Sequence, residues 1–154
     1  MGTLEAADAE LIDDDVNDRI CIQLQHTAAF LFACAKAAFA LRTRPLERIV
    51  ESIRRRKAIA MRSDARRATF DCTRNRNLVA VFNRLCPLVP SPRDAGLFKS
   101  LALIEFLALY KSYPTWMWGV TNRPFSAHLW VQQEGRVFNS PVEYILRFTP
   151  ILAV

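Results

Sequence analysis

Apolar positions recur at helical spacing from Gln23 to about Lys111 and at strand spacing after Pro114. From Gln23 to Thr43 small and apolar residues occupy nearly every face (Ala28, Ala29, Phe30, Phe32, Ala33, Ala37, Ala38, Leu41), the pattern of a helix packed on several sides. Pro45 then stands where a helix begins. Leu46, Ile49, Val50 and Ile53 follow at i, i+3, i+4 and i+7, with Arg and Glu on the opposite face. The stripe Leu78, Val79, Phe82 and Leu85 predicts a third helix from about Asp64 to Leu85. It must stop at Cys86-Pro87-Leu88-Val89-Pro90-Ser91-Pro92, where prolines remove donors and restrict the residues before them. A fourth helix, from about Arg93 to Lys111, turns Leu97, Leu101, Ile104 and Leu107 or Ala108 inward.

After Pro114 the period changes. Thr115 to Val120 is rich in aromatic and β-branched residues, and Asn122-Arg123-Pro124 interrupts it. His128 to Gln133 alternates, with Leu129 and Val131 on one face and His128, Trp130 and Gln132 on the other. Glu134-Gly135 reads as a hairpin turn into Arg136 to Asn139, and a last short strand is predicted from Tyr144 to Leu152. The fold class is therefore α+β, a helical N-terminal half packed with a core of one helix and a small antiparallel sheet. Residues 21–90 form the helical region and 91–154 the helix-plus-sheet core of one domain, because 154 residues with 51% hydrophobic content bury one core.

Charge divides the chain. Residues 1–20 hold Glu5, Asp8, Glu10, Asp13, Asp14, Asp15 and Asp18 against Arg19 and lack apolar periodicity, as a mobile acidic tail would. The body that follows is more basic than the net +6 of the whole chain. Its Arg-rich stretch from Arg42 to Arg76 either attracts phosphate, nucleic acid or an acidic peptide, or is a solvated helix face. No aromatic RNA-binding motif accompanies it, so no nucleic-acid partner is expected. Cys21, Cys34, Cys72 and Cys86 show no paired spacing, which favours reduced, buried thiols over a disulfide framework or a zinc site. His26 and His128 are too isolated to argue for a metal, and no cofactor is implied. The most apolar run, Thr27 to Leu41, falls short of a bilayer's thickness, so a cytoplasmic protein with no membrane span is expected.

Several motifs stand in a specific order. They are Asp94 to Leu103, Gly119-Val120, Pro124-Phe125 with Ala127-His128 and Trp130-Val131, Gly135 with Val137-Phe138-Asn139, and Phe148-Thr149-Pro150-Ile151-Leu152. In this order the chain resembles the B protein of lasso peptide biosynthesis, a transglutaminase-like leader peptidase, strongly after Leu85 and in general character from Leu24. The resemblance implies a cysteine protease fold in which a Cys at a helix start, a His on a strand and an Asp on the following segment cut the leader from a ribosomal precursor peptide. A helix N-terminus favours the thiolate, the imidazole shuttles the proton, and the carboxylate fixes its tautomer. It also implies two protein partners, a PqqD-like leader-recognition protein or domain and an ATP-dependent lasso cyclase.

Carried over residue by residue, the base falls on His128, the nucleophile on Gly96 and the third member on Ser140. Glycine cannot form an acyl-enzyme, and serine supplies no negative charge for an imidazolium. A change made to trap substrate accounts for Gly96 alone; a natural pseudoenzyme accounts for both positions. Asn139 is a candidate to orient His128, and Ser100, one turn after Gly96, fits a structural or substrate-positioning role. Cys86 is a more remote substitute nucleophile. The resulting expectation is a precursor-binding protein of lasso peptide maturation with its peptidase site altered. The alternative is a non-catalytic scaffold that presents the precursor to the cyclase or another tailoring enzyme. Trp116, Trp118, Trp130, Phe125 and Tyr113 are expected to be mostly core.

Overall fold

The computed structural model describes residues 23–63, 72–89 and 95–154. The acidic segment 1–20, Cys21, the predicted start of the third helix at Asp64, the prolines at 90 and 92, and Asp94 lie outside the described residues.

Helix α1 (Leu24–Thr43) buries Phe30, Ala33, Cys34 and Ala37 along one stripe. At its start the Gln23 N–H donates to His26 Nδ1 at 3.3 Å, and the His26 ring lies against Tyr110, so this histidine is a capping residue. By length and composition α1 is apolar enough to cross a bilayer, yet its buried stripe packs on the protein core. Helix α2 (Leu46–Ser63) buries Ile49 and Ile53 and turns Arg48, Arg54 and Arg55 outward. Helix α3 (Cys72–Leu85) contributes Leu78, Val79, Val81, Phe82 and Leu85, and a 3-10 turn at Cys86–Leu88 ends it at Pro87.

Helix α4 (Ala95–Leu109) is the centre of the molecule. Phe98 and every residue from Ser100 to Leu107 are buried, because α1 and α3 cover it and strands pack against it. One of those residues is a carboxylate. Glu105 accepts from both terminal nitrogens of Arg56, at 2.7 and 2.5 Å, and pairs with Lys36 at 2.6 Å, which joins α1 and α2 to α4. Burial pushes the Glu105 carboxyl up, but the hydrogen bonds from Arg56 and Lys36 outweigh it and hold the group below its ordinary value. The chain leaves α4 through Lys111 in the left-handed region (φ 61°), with Ser112 N–H returned to the Leu107 carbonyl.

The sheet has the order β3-β2-β1-β4 and is antiparallel throughout. Strands β1 (Thr115–Asn122) and β2 (Phe125–Gln133) are longer than the alternation predicted, since pairing continues to Asn122↔Phe125 at the turn. Strand β3 is Arg136–Val137 only. The last predicted strand is corrected: after Pro141 the chain makes a helical turn, α5 (Val142–Ile145), and only Thr149–Ala153 forms β4. Tyr144 and Ile145 N–H groups bond the Pro141 carbonyl, and Val142 and Ile145 pack inward at i, i+3. A short apolar run does not declare its period, and here the helical one won.

Register divides the side chains between two faces. Trp116↔Val131 and Trp118↔Leu129 lie on the face that joins the main core with α4. Met117↔Trp130 and Gly119↔His128 lie on the other, where Met117, Trp130, Val137 and Phe148 form a second small core beneath α5.

Candidate functional site

His128 stands on this second face, midway along β2. Its Nε2 is 2.8 Å from Ser140 Oγ, twelve residues on. Aromatic rings surround the imidazole: Trp130 stacks with it at 6.3 Å, Phe148 lies tilted at 5.3 Å, and Tyr144 meets it edge-on at 4.9 Å. Burial therefore lowers the His128 pKa below its ordinary value and favours the neutral ring.

The backbone makes this enclosure possible. Opposite His128 on β1 is Gly119, where an added Cβ would lie 2.8 Å from Trp130 Cζ3 and 2.9 Å from Phe148 Cβ. Only a residue without a side chain lets those rings close beside the imidazole. On the other side, Phe138 N–H donates to Val131 O at 2.9 Å, and Val131 N–H donates to Asn139 Oδ1 at 2.7 Å. These two bonds fix the segment that delivers Ser140. They also correct the role expected for Asn139: its side-chain oxygen is taken by the β2 backbone, and Ser140 is the residue that engages the imidazole.

Gly96 belongs to another element. It lies in the first turn of α4, exposed, and an added Cβ there meets nothing within 4 Å. The position has room for a larger residue, and neither His128 nor Ser140 touches it. Ser100 is wholly buried, accepts from Trp116 Nε1 at 3.1 Å and donates to the Leu97 carbonyl at 3.1 Å. It is a structural serine. Cys86 and Cys34 line a cleft of about 10 Å³ with Phe82 and Lys99, room for one water at most. Burial pushes the Cys86 thiol up against a smaller opposing pull from Lys99, and burial with Cys86 nearby takes Cys34 to about 11. Neither is an activated thiol. Trp116 and Trp130 are core residues as expected, on opposite faces, whereas Phe125 is 76% exposed.

Gly119 and Phe148 belong to the motifs that carry the resemblance and Tyr144 to the last predicted strand, but the sequence does not mark any of the three as neighbours of His128. Gly119 carried a usable signal, an isolated glycine in a strand, which marks close approach. Tyr144 falls in a segment whose spacing predicts a strand, and its ring contact with His128 arises instead from the helical turn after Pro141. Among the described residues no group of three or more His, Cys, Asp or Glu side chains converges to hold a metal.

Residues 31–153 match the family model described as the transglutaminase-like superfamily. No curated protein and no solved structure matches the chain.

Proposed function

The chain belongs to the transglutaminase-like superfamily, and from that premise we propose that it serves the maturation of a ribosomally made lasso peptide as a leader-peptidase-type protein whose cysteine chemistry is closed. The observation that carries this reading is the His128–Ser140 hydrogen bond at 2.8 Å. The base and third position of a triad are coupled in space at the positions the resemblance assigns them, while the nucleophile position holds Gly96. In this reading the chain binds the precursor peptide with a PqqD-like recognition partner and acts beside an ATP-dependent cyclase. A thiol-type acyl-enzyme is beyond its reach.

The open space at Gly96, where an added Cβ would meet neither His128 nor Ser140 within 4 Å, favours a second reading, a non-catalytic scaffold that holds the precursor for the cyclase or another tailoring enzyme. One experiment tests both. The cognate precursor and recognition protein are mixed with the native chain, Gly96→Cys, or Gly96→Cys with Ser140→Asp. Leader cleavage is followed by mass spectrometry and precursor binding by fluorescence anisotropy. Cleavage by the cysteine variants alone is the expected result of a site silenced at its nucleophile, the double variant being faster because a carboxylate supports the imidazolium. Binding with no cleavage by any variant selects the scaffold. Absence of binding overturns both readings.

A further inference from the structure

We propose that Ser140 is itself a nucleophile activated by His128, and that the two form a serine–histidine acyl-transfer site for small apolar esters. The proposal concerns residues of the site above but does not rest on the peptide-maturation reading, since it requires no precursor.

The first support is geometric. Ser140 Oγ and His128 Nε2 are 2.8 Å apart, the separation a hydroxyl nucleophile needs from its base. Both partners are held. The ring is enclosed by Trp130, Phe148 and Tyr144, and the serine follows a segment pinned to β2 at Val131 through Phe138 and Asn139. A base held on a strand and a hydroxyl held on a pinned loop keep the geometry that makes a nucleophile–base pair effective. Neither residue is closed off, since both are partly exposed.

The chemistry balances on these two side chains. Ser140 Oγ attacks the acyl carbon and its proton passes to His128 Nε2. The tetrahedral adduct expels the alcohol or phenol oxygen, which takes that proton back from Nε2. Water, deprotonated by the freed Nε2, then attacks the acyl-serine and releases the carboxylic acid, with the proton returned to Oγ. The ring is neutral, as a base must be, because it is partly buried. Burial is also the cause of its lowered pKa with no carboxylate offsetting it, so the imidazolium formed in transit has no counter-charge. Such a pair handles good leaving groups, as in aryl esters, and leaves amides uncut. The substrate class follows from the walls. Trp130 and Phe148 are buried beside the ring and Tyr144 is 42% exposed at its edge, which suits a short aliphatic or aryl acyl group.

The test uses the native chain with two probes, a fluorophosphonate and p-nitrophenyl acetate. The expected result is a fluorophosphonate adduct that peptide mapping places on Ser140, and ester hydrolysis that falls about 100-fold in Ser140→Ala and in His128→Gln. Ser140→Asp keeps an acceptor beside the imidazole but has no hydroxyl, so it separates loss of the nucleophile from loss of the fold: it must stay folded by circular dichroism and take no adduct. Ser100→Ala retains labelling, because Ser100 is buried under Trp116. No adduct on the folded native chain, an adduct on another residue, or labelling of Ser140 that persists in His128→Gln would each overturn the proposal.

Discussion

The two faces of the sheet are built from similar residues and do different work. On the helix side, Trp116 is wholly buried, its indole N–H is satisfied by Ser100, and it belongs to the main core with Leu101 and Val131. On the other side, Trp130 is equally buried, but beside it stands an ionisable ring bonded to a hydroxyl, both partly open to solvent. One tryptophan thus completes a dry core and the other walls a polar site. The difference lies in what register places opposite. Val131 faces Trp116 and fills volume, while Gly119 faces His128 and vacates it. Packing that excludes every gap gives stability, whereas a glycine opposite a functional side chain lets large rings approach it and hold it.

The largest effect should come from the dry face. Trp116→Ala removes a fully buried indole together with the hydrogen bond it gives Ser100, a loss of about 4 kcal/mol. A chemical denaturation curve measures it, and a midpoint within error of the native chain would refute the division of labour between the faces. Next comes Gly119→Ala. Its Cβ would lie within 3 Å of Trp130 and Phe148, so overpacking should cost about 2 kcal/mol. Because those rings flank His128, the same substitution should also shift the imidazole resonances in a proton NMR spectrum. Destabilisation with unmoved resonances would mean that the rings do not position the imidazole.

Much of this architecture was legible in the sequence. Helical spacing of Ile49 and Ile53, or of Leu78, Val79 and Phe82, reports a core face directly, and those residues are buried. The alternation in β2 likewise set His128 and Trp130 apart from Leu129 and Val131, as the two cores require. What stayed hidden was contact across register. No single-strand pattern says that residue 119 pairs with residue 128, so the reason for a glycine there was invisible until β1 and β2 were side by side. The segment Tyr144–Leu152 concealed its change of period because its apolar residues satisfy helix and strand spacing equally well. Asn139 and Ser140 were both candidates for the imidazole. Only the backbone bond to Val131, a tertiary contact, commits Asn139 elsewhere.

A milder change sharpens the comparison from the helix side. Ser100→Ala leaves the buried Trp116 N–H without its acceptor and should cost about 1.5 kcal/mol, through an unsatisfied donor rather than lost volume. Ser100→Thr, which keeps the hydroxyl but adds a methyl group to a filled site, distinguishes the two causes in the same denaturation assay. If Ala and Thr were equally stable to the native chain, the Ser100–Trp116 bond would carry no weight. His128 reactivity should be untouched by either variant, as the two sites lie on opposite faces.

The smallest expected effect is a slope with pH, and it belongs to the other face. Burial lowers the His128 pKa below its ordinary 6.5, so as pH falls through 6.5 the unfolded chain takes up a proton that the folded chain resists. Stability from this group is complete above 6.5 and declines on acidification until the folded pKa is passed, where the loss levels off. Tyr144 meets the same imidazole edge-on. Glu105 contributes with the same sign at lower pH: hydrogen bonds from Arg56 and Lys36, against burial, hold its carboxyl below the ordinary 4.5, so its contribution fades only as pH falls past that value. The interval between about 6.5 and 4.5 therefore isolates the imidazole from the carboxylate. Thermal melts of the native chain should fall across it, and His128→Gln, which keeps a polar side chain in the aromatic enclosure but cannot titrate, should flatten that fall while leaving the drop below 4.5 in place. An unchanged slope in the variant would show that His128 is hydrated in the folded chain, and the aromatic enclosure would then not be what keeps it neutral.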